Sequence, residues 1–199
     1  YQWTVTPQLK AYFSGRADKH TYSDWLFSPR FALVKSIDSN YLKLILSRSQ
    51  RMNFDSELRL AHEANNSHTD PETLNAVELR WEHIFDQGWF AVSWFHYDLD
   101  VIGFKSVNGA GNSTVIAEQE QWGLEAEWVK RTPNWQLSLS HAHTKLLSFK
   151  LLDGDFSLIS NAPNGYGNNL NNWSHDISKA VINHRINQQW SVYSSLIYY

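Results

Sequence analysis

The chain contains no cysteine. That excludes a disulfide scaffold, a thiolate metal centre and dithiol redox chemistry, and it suits a protein that crosses the periplasm unfolded, although many other proteins also lack cysteine. A block of like charge is missing too: 17 Lys and Arg stand against 20 Asp and Glu, for a net charge of -3. A nucleic-acid partner, which would want a clustered basic face, is therefore not expected. Long apolar runs are also absent. The longest is Trp89–Phe95, far short of the roughly 20 residues of a membrane helix. The chain opens at Tyr1 rather than Met and shows no signal sequence, so a mature or truncated chain is expected.

What the chain has is rings. Of its 199 residues 15% are aromatic, with 10 Trp, 9 Tyr and 10 Phe, although the mean hydropathy is polar at -0.47. A soluble core would draw more on Leu, Ile and Val. Tyr and Trp are favoured where one side of a ring is apolar and the other wet, as at a membrane interface.

The organisation repeats. About nine strands are readable from period-two alternation: Gln8–His20, Phe27–Ser36, Tyr41–Ser49, Thr73–Phe85, Trp89–Lys105, Gln119–Lys130, Trp135–Phe149, Asp176–Ile186 and Gln189–Tyr199, with Tyr1–Trp3 as the tail of another. No helical segment is expected between them. Tight joints at Ile37–Ser39, Asp86–Gln87, Thr132–Pro133 and Asn187–Gln188 alternate with long polar loops at Gln50–Glu72, Ser106–Glu118 and Leu151–Trp173. In an antiparallel meander, odd and even connections fall at opposite ends of the sheet. All long loops then emerge on one side, as in transmembrane β-barrels of the outer-membrane type.

The alternation also sorts the faces. Leu79 and Trp81 oppose Glu78, Arg80 and Glu82; Leu124 and Trp128 oppose Glu125 and Glu127; Leu137 and Leu139 oppose Ser138 and Ser140. A charge facing hydrocarbon costs about 2–4 kcal/mol at mid-membrane, so the apolar set is expected outward and the charged set in the lumen. A soluble antiparallel sheet with one wet face shows the same alternation. Against it stand strands longer than the usual five or six residues, the persistence of the pattern, and aromatic residues near strand ends: Trp25, Phe27, Phe85, Trp89, Trp135, Trp173 and Trp190.

Five segments in order resemble the barrel of a TonB-dependent outer-membrane receptor. They are Ser28-Pro29-Arg30-Phe31-Ala32-Leu33-Val34; Leu42-Lys43-Leu44 running into Ser47-Arg48-Ser49-Gln50-Arg51; Pro71-Glu72-Thr73 followed by Val77-Glu78-Leu79-Arg80-Trp81-Glu82; Phe95-His96-Tyr97-Asp98-Leu99-Asp100-Val101-Ile102; and Gly123-Leu124-Glu125-Ala126-Glu127. The resemblance implies an all-β antiparallel barrel of about 22 strands closed by a plug. Residues 1–199 would then form a partial wall, lacking the N-terminal plug and the last strands. It implies residence in the bacterial outer membrane and uptake of a scarce chelated nutrient, a ferric siderophore first, with haem or cobalamin as alternatives. TonB would act through the absent plug region, and outer-membrane lipid and lipopolysaccharide would be neighbours. Neither enzymatic activity nor a cofactor is expected. Family members often carry Phe-Arg-Ala-Pro where this chain has Gln50-Arg51-Met52-Asn53, of which Arg51 alone fits. Haem receptors place a His in the same loop; His62 and His68 lie there without the flanking motifs.

Other candidates are weaker. Asp98 and Asp100 share a face and could do acid–base work, or form a lumen-facing or rim acidic pair. His141 and His143 also share a face, but a two-His signal without a third ligand is weak for a metal. The run Asn161–Asn169 is turn-rich and uncharged, and no helix follows it to hold a phosphate. In a receptor its loop would shape ligand entry, with Tyr166 and Trp173 the expected contacts. A small barrel enzyme built on Asp98 and Asp100, and a structural or adhesive barrel, stay open as function classes.

Overall fold

The computed structural model describes residues 1–52, 55–63, 70–107, 110–152 and 174–199. Ten strands form one antiparallel sheet in strict sequence order. They are β1 Gln2–Thr6, β2 Leu9–Lys19, β3 Trp25–Ile37, β4 Asn40–Arg51, β5 Glu72–Phe85, β6 Gly88–Val107, β7 Ala110–Arg131, β8 Trp135–Leu151, β9 Asp176–Arg185 and β10 Ser191–Tyr198. Among the described residues β1 and β10 do not pair with each other, so the sheet is open.

The tight joints between β3 and β4 and between β5 and β6 are two-residue hairpins, where backbone twist demands a left-handed residue. Asp38 at φ 50° and Gln87 at φ 69° supply it. Every even-numbered strand is joined to the next at the opposite end, where the two long connections, β4 to β5 and β8 to β9, also lie. There the structure corrects two expectations. Ser106–Glu118 is not a long loop: β6 runs to Val107, β7 resumes at Ala110, and the ladder pairs Ile102 with Val115 and Lys105 with Asn112. The connection from β4 to β5 carries a helix, α1 Asp55–Glu63, where no helical segment was expected.

Cross-strand register decides which residues share a face. Leu44, Leu79, Trp94 and Leu124 lie on one rung, and Leu42, Trp81, Val92 and Ala126 on the next. Leu139 follows beside Trp128 and Ala180. On the other face Lys43, Arg80, Ser93 and Glu125 share a rung, as do Tyr41, Glu82, Ala91 and Glu127. Small side chains of this second face are closed over, Ala91 completely at 0%, whereas Leu79 and Trp81 on the first are 41% exposed. Large apolar side chains left open on one face, with charges and packed small residues on the other, match a lipid-facing and a lumen-facing surface.

The wall also bends. Both ends of α1 are anchored on the β2–β3 connection, through His20 to Asp55 and Tyr22 to His62. The same helix packs against β7. A flat sheet would hold β3 and β7 roughly 19 Å apart at about 4.8 Å per strand. A helix about 10–12 Å across fills the gap only if the wall bends toward it.

Inside the wall Arg80 ties three strands. Its guanidinium donates to Glu127 at 2.9 Å, Glu82 at 3.2 Å and the Ser93 hydroxyl at 3.2 Å, and it lies 5.4 Å from the Trp89 ring centre. Trp89, expected in an aromatic belt, therefore faces the lumen. One strand over, Gly123 is covered by the ring of Phe95, and a Cβ there would collide with that ring and sit 2.7 Å from the His143 carbonyl. An aromatic laid over a strand glycine restores the packing the missing side chain leaves open.

Candidate functional site

At the long-connection end the residues meet in two groups. The first is the mouth of the wall. The β3–β4 ladder stops at Arg30 opposite Ser47, and side chains continue the link: the Phe27 amide donates to Gln50 Oε1 at 2.9 Å, and the Gln50 amide donates to Ser28 Oγ at 3.1 Å. Arg51 closes the root of the β4–β5 connection on Glu72, with Nη2 to Oε2 at 3.0 Å. Above this brace lies α1. Asp55 puts an acid in its first turn and His62 a base in its last, both suited to the helix dipole. Leu58 is 1% exposed and fixes the helix by burial.

His62 is therefore held in place, its ring 5.0 Å from that of Tyr22. His20 Nε2 lies 3.1 Å from Asp55 Oδ1, and the Tyr22 amide donates to His20 Nδ1 at 3.2 Å. An imidazole, a phenol and a carboxylate thus converge where β2, β3 and α1 meet. Of the residues expected to contact a ligand, His62 is the one the structure describes; His68, Tyr166 and Trp173 lie outside the described residues. Tyr22, His20 and Asp55 were not anticipated. The readable signal was Asp55, Leu58 and His62 at helical spacing.

The second group lies on the outer surface: His96, Asp98 and Asp100 at the upper edge of the apolar band, and His141 and His143 lower, on the rungs of Ala126 and Leu124. Counting by twos along β6 from Trp94 leads to His96, Asp98 and Asp100 on the lipid-side face. Asp98 sits opposite Glu120, and Asp100 opposite Glu118. The acidic pair is thus not in the lumen, and Asp98 borders an open hollow together with Leu46, Arg48, Val77 and His96. His96 stands beside it, 3.6 Å from Asp98, but the set looks away from the barrel interior. His141 and His143 share the same outer face and converge on Asp176: His143 Nδ1 is 2.8 Å and His141 Nε2 3.6 Å from Oδ1. Lys150 reaches Glu118 at 3.4 Å.

The features together define an antiparallel transmembrane β-barrel wall with its long connections on one side. The family described as TonB dependent receptor-like, beta-barrel matches residues 1–198, and the chain belongs to that family. It places the protein in the bacterial outer membrane, in a family of receptors and transporters rather than enzymes. No curated protein matches the chain. Among solved structures, the chain is similar to the OmpF porin of Salmonella typhi in complex with daunomycin. The TM-score is 0.53 at 11% identity, over 98% of this chain and 50% of the porin. That likeness concerns the fold, and the chain spans about half the porin's length.

Proposed function

We propose that the protein containing this wall takes up a scarce chelated nutrient, a ferric siderophore in the first place, in a TonB-dependent way. The observation that supports the reading is the family match over nearly the whole chain. Residues 1–199 then form part of a barrel closed by a plug, and the segment gripped by TonB belongs to the plug. The connection bearing α1, the tip of the β6–β7 hairpin and the stretch Leu151–Trp173 face the outside and capture the ligand. His62, His68, Tyr166 and Trp173 contact it, the aromatic members giving rigid area at low entropy cost. Outer-leaflet lipid and lipopolysaccharide surround the wall.

The test is growth of a deletion strain on single ferric siderophores, with and without TonB, complemented by the intact gene or by one lacking Asn161–Asn169. The expected outcome is growth that needs TonB and ligand binding that falls in the loop deletion while the barrel still assembles. Uptake that survives both losses removes the transporter reading and returns the small-barrel classes. A second reading, haem uptake, draws support from His62 beside Tyr22, since His and Tyr are both axial haem ligands. Growth on haem as sole iron source, lost in His62→Ala, separates it from the first.

A further inference from the structure

We propose that His96, Asp98 and Glu120 form a divalent metal site on the outward face of the barrel, just above the lipid band, for a first-row transition ion of the zinc class. His96 Nε2 lies 3.6 Å from Asp98 Oδ1 and 3.5 Å from Glu120 Oε1. The three donor atoms all fall within 4.8 Å of one another. Zinc–ligand bonds of about 2.0–2.2 Å set tetrahedral ligand atoms roughly 3.3–3.6 Å apart, so the imidazole already stands at bonding separation from both carboxylates. One nitrogen and two oxygen donors suit zinc, cobalt or manganese better than calcium or magnesium, which take oxygen alone. Three protein ligands leave one position open outward, for water or an oxygen donor from outside.

The ligands are also oriented. The His96 ring stacks along Trp94 at 6.3 Å. Glu120 turns Oε1 to the imidazole while Oε2 accepts a hydrogen bond from Ser148 at 3.4 Å. Such outer partners fix a ligand's direction. The adjoining rung provides an internal comparison. Asp100 opposes Glu118 just as Asp98 opposes Glu120, and like charges directly opposite destabilise a ladder. In the upper rung Lys150 supplies the cation. In the lower rung Arg48 stands two strands from Asp98 without an ion pair to either carboxylate among the described residues, and the His96 imidazole is the group that meets both.

The test uses the complete outer-membrane protein, purified in detergent and stripped of metal. Zn2+ is titrated, and Co2+ is added separately to read the visible absorption of a four-coordinate site. The expected result is one bound Zn2+, an affinity lowered about tenfold or more by His96→Asn and by Glu120→Gln, and no change in Asp100→Asn or Glu118→Gln. Ca2+ in excess should not displace the ion. Absence of saturable binding, binding indifferent to His96→Asn, or equal losses from the upper-rung variants would overturn the site and leave a diffuse acidic patch. Heat-modifiable gel migration checks that each variant has folded. Should one fail, the wild-type protein still decides: Zn2+ is expected to protect His96 from diethyl pyrocarbonate, and modification at the same rate with and without Zn2+ refutes the proposal.

Discussion

Replacing Leu139 by Arg tests the orientation of the whole wall. Leu139 lies between Trp128 and Ala180 on the outward face and is 42% exposed. It stands four residues beyond Trp135, the first residue of β8. At about 3.3 Å per residue and a tilt near 40°, that is roughly 10 Å above the turn-side aromatic girdle. The apolar band is about 25 Å tall, so Leu139 lies near its middle, where an outward Arg costs about 2–4 kcal/mol. At about 1.4 kcal/mol per decade, the folding equilibrium constant should fall roughly 30- to 700-fold. Ser138, its neighbour, faces the lumen opposite Val129 and Val181; Ser138→Arg meets polar space and should stay within about 0.5 kcal/mol. Urea unfolding in lipid vesicles, read by heat-modifiable migration, gives both values. Equal shifts, or a larger one for Ser138→Arg, would mean that the faces are inverted.

Two further outcomes follow from packing. Gly123→Val should cost about 1–3 kcal/mol by forcing the Phe95 ring aside, and Phe95→Ala in the same chain should recover part of the loss; urea midpoints measure both. Leu58→Ala removes the buried anchor of α1, where such truncations cost about 2–5 kcal/mol. Because α1 is a local unit, hydrogen exchange should quicken in Asp55–Glu63 while amides of β5 are unaffected, and a global loss of protection would contradict that independence.

The strands were legible because lipid and lumen impose opposite demands on successive residues, which Leu79, Arg80 and Trp81 display directly. The misreadings occurred where that demand ends. Ser106–Glu118 is rich in Gly, Asn and Ser, with poor strand propensity, yet its backbone pairs in register. Asn108-Gly109, the strongest short hairpin signal, was the cue available. Helix α1 escaped because nine residues cannot hold a helix alone; the ties to His20 and Tyr22 come from the β2–β3 connection, remote in sequence. Asp98 and Asp100 were expected to do acid–base work or to form a lumen-facing or rim acidic pair. Parity from Trp94 places them outside, since outward positions need be apolar only within the lipid band.

The same limit explains the unequal heights of the wall. β9 has 10 residues and β7 has 22. With a rise of about 3.3 Å and a tilt near 40°, β9 reaches roughly 25 Å and just spans the band, whereas β7 reaches roughly 55 Å. The surplus of β6 and β7 therefore stands in water on both faces, which is why His96, Asp98 and Glu120 are affordable on a surface that is lipid-facing lower down. Helix α1, anchored on His20 and Tyr22, packs against β7, the longest of the described strands. The mouth is consequently built up on the side of α1, β6 and β7 and low at β9 and β10.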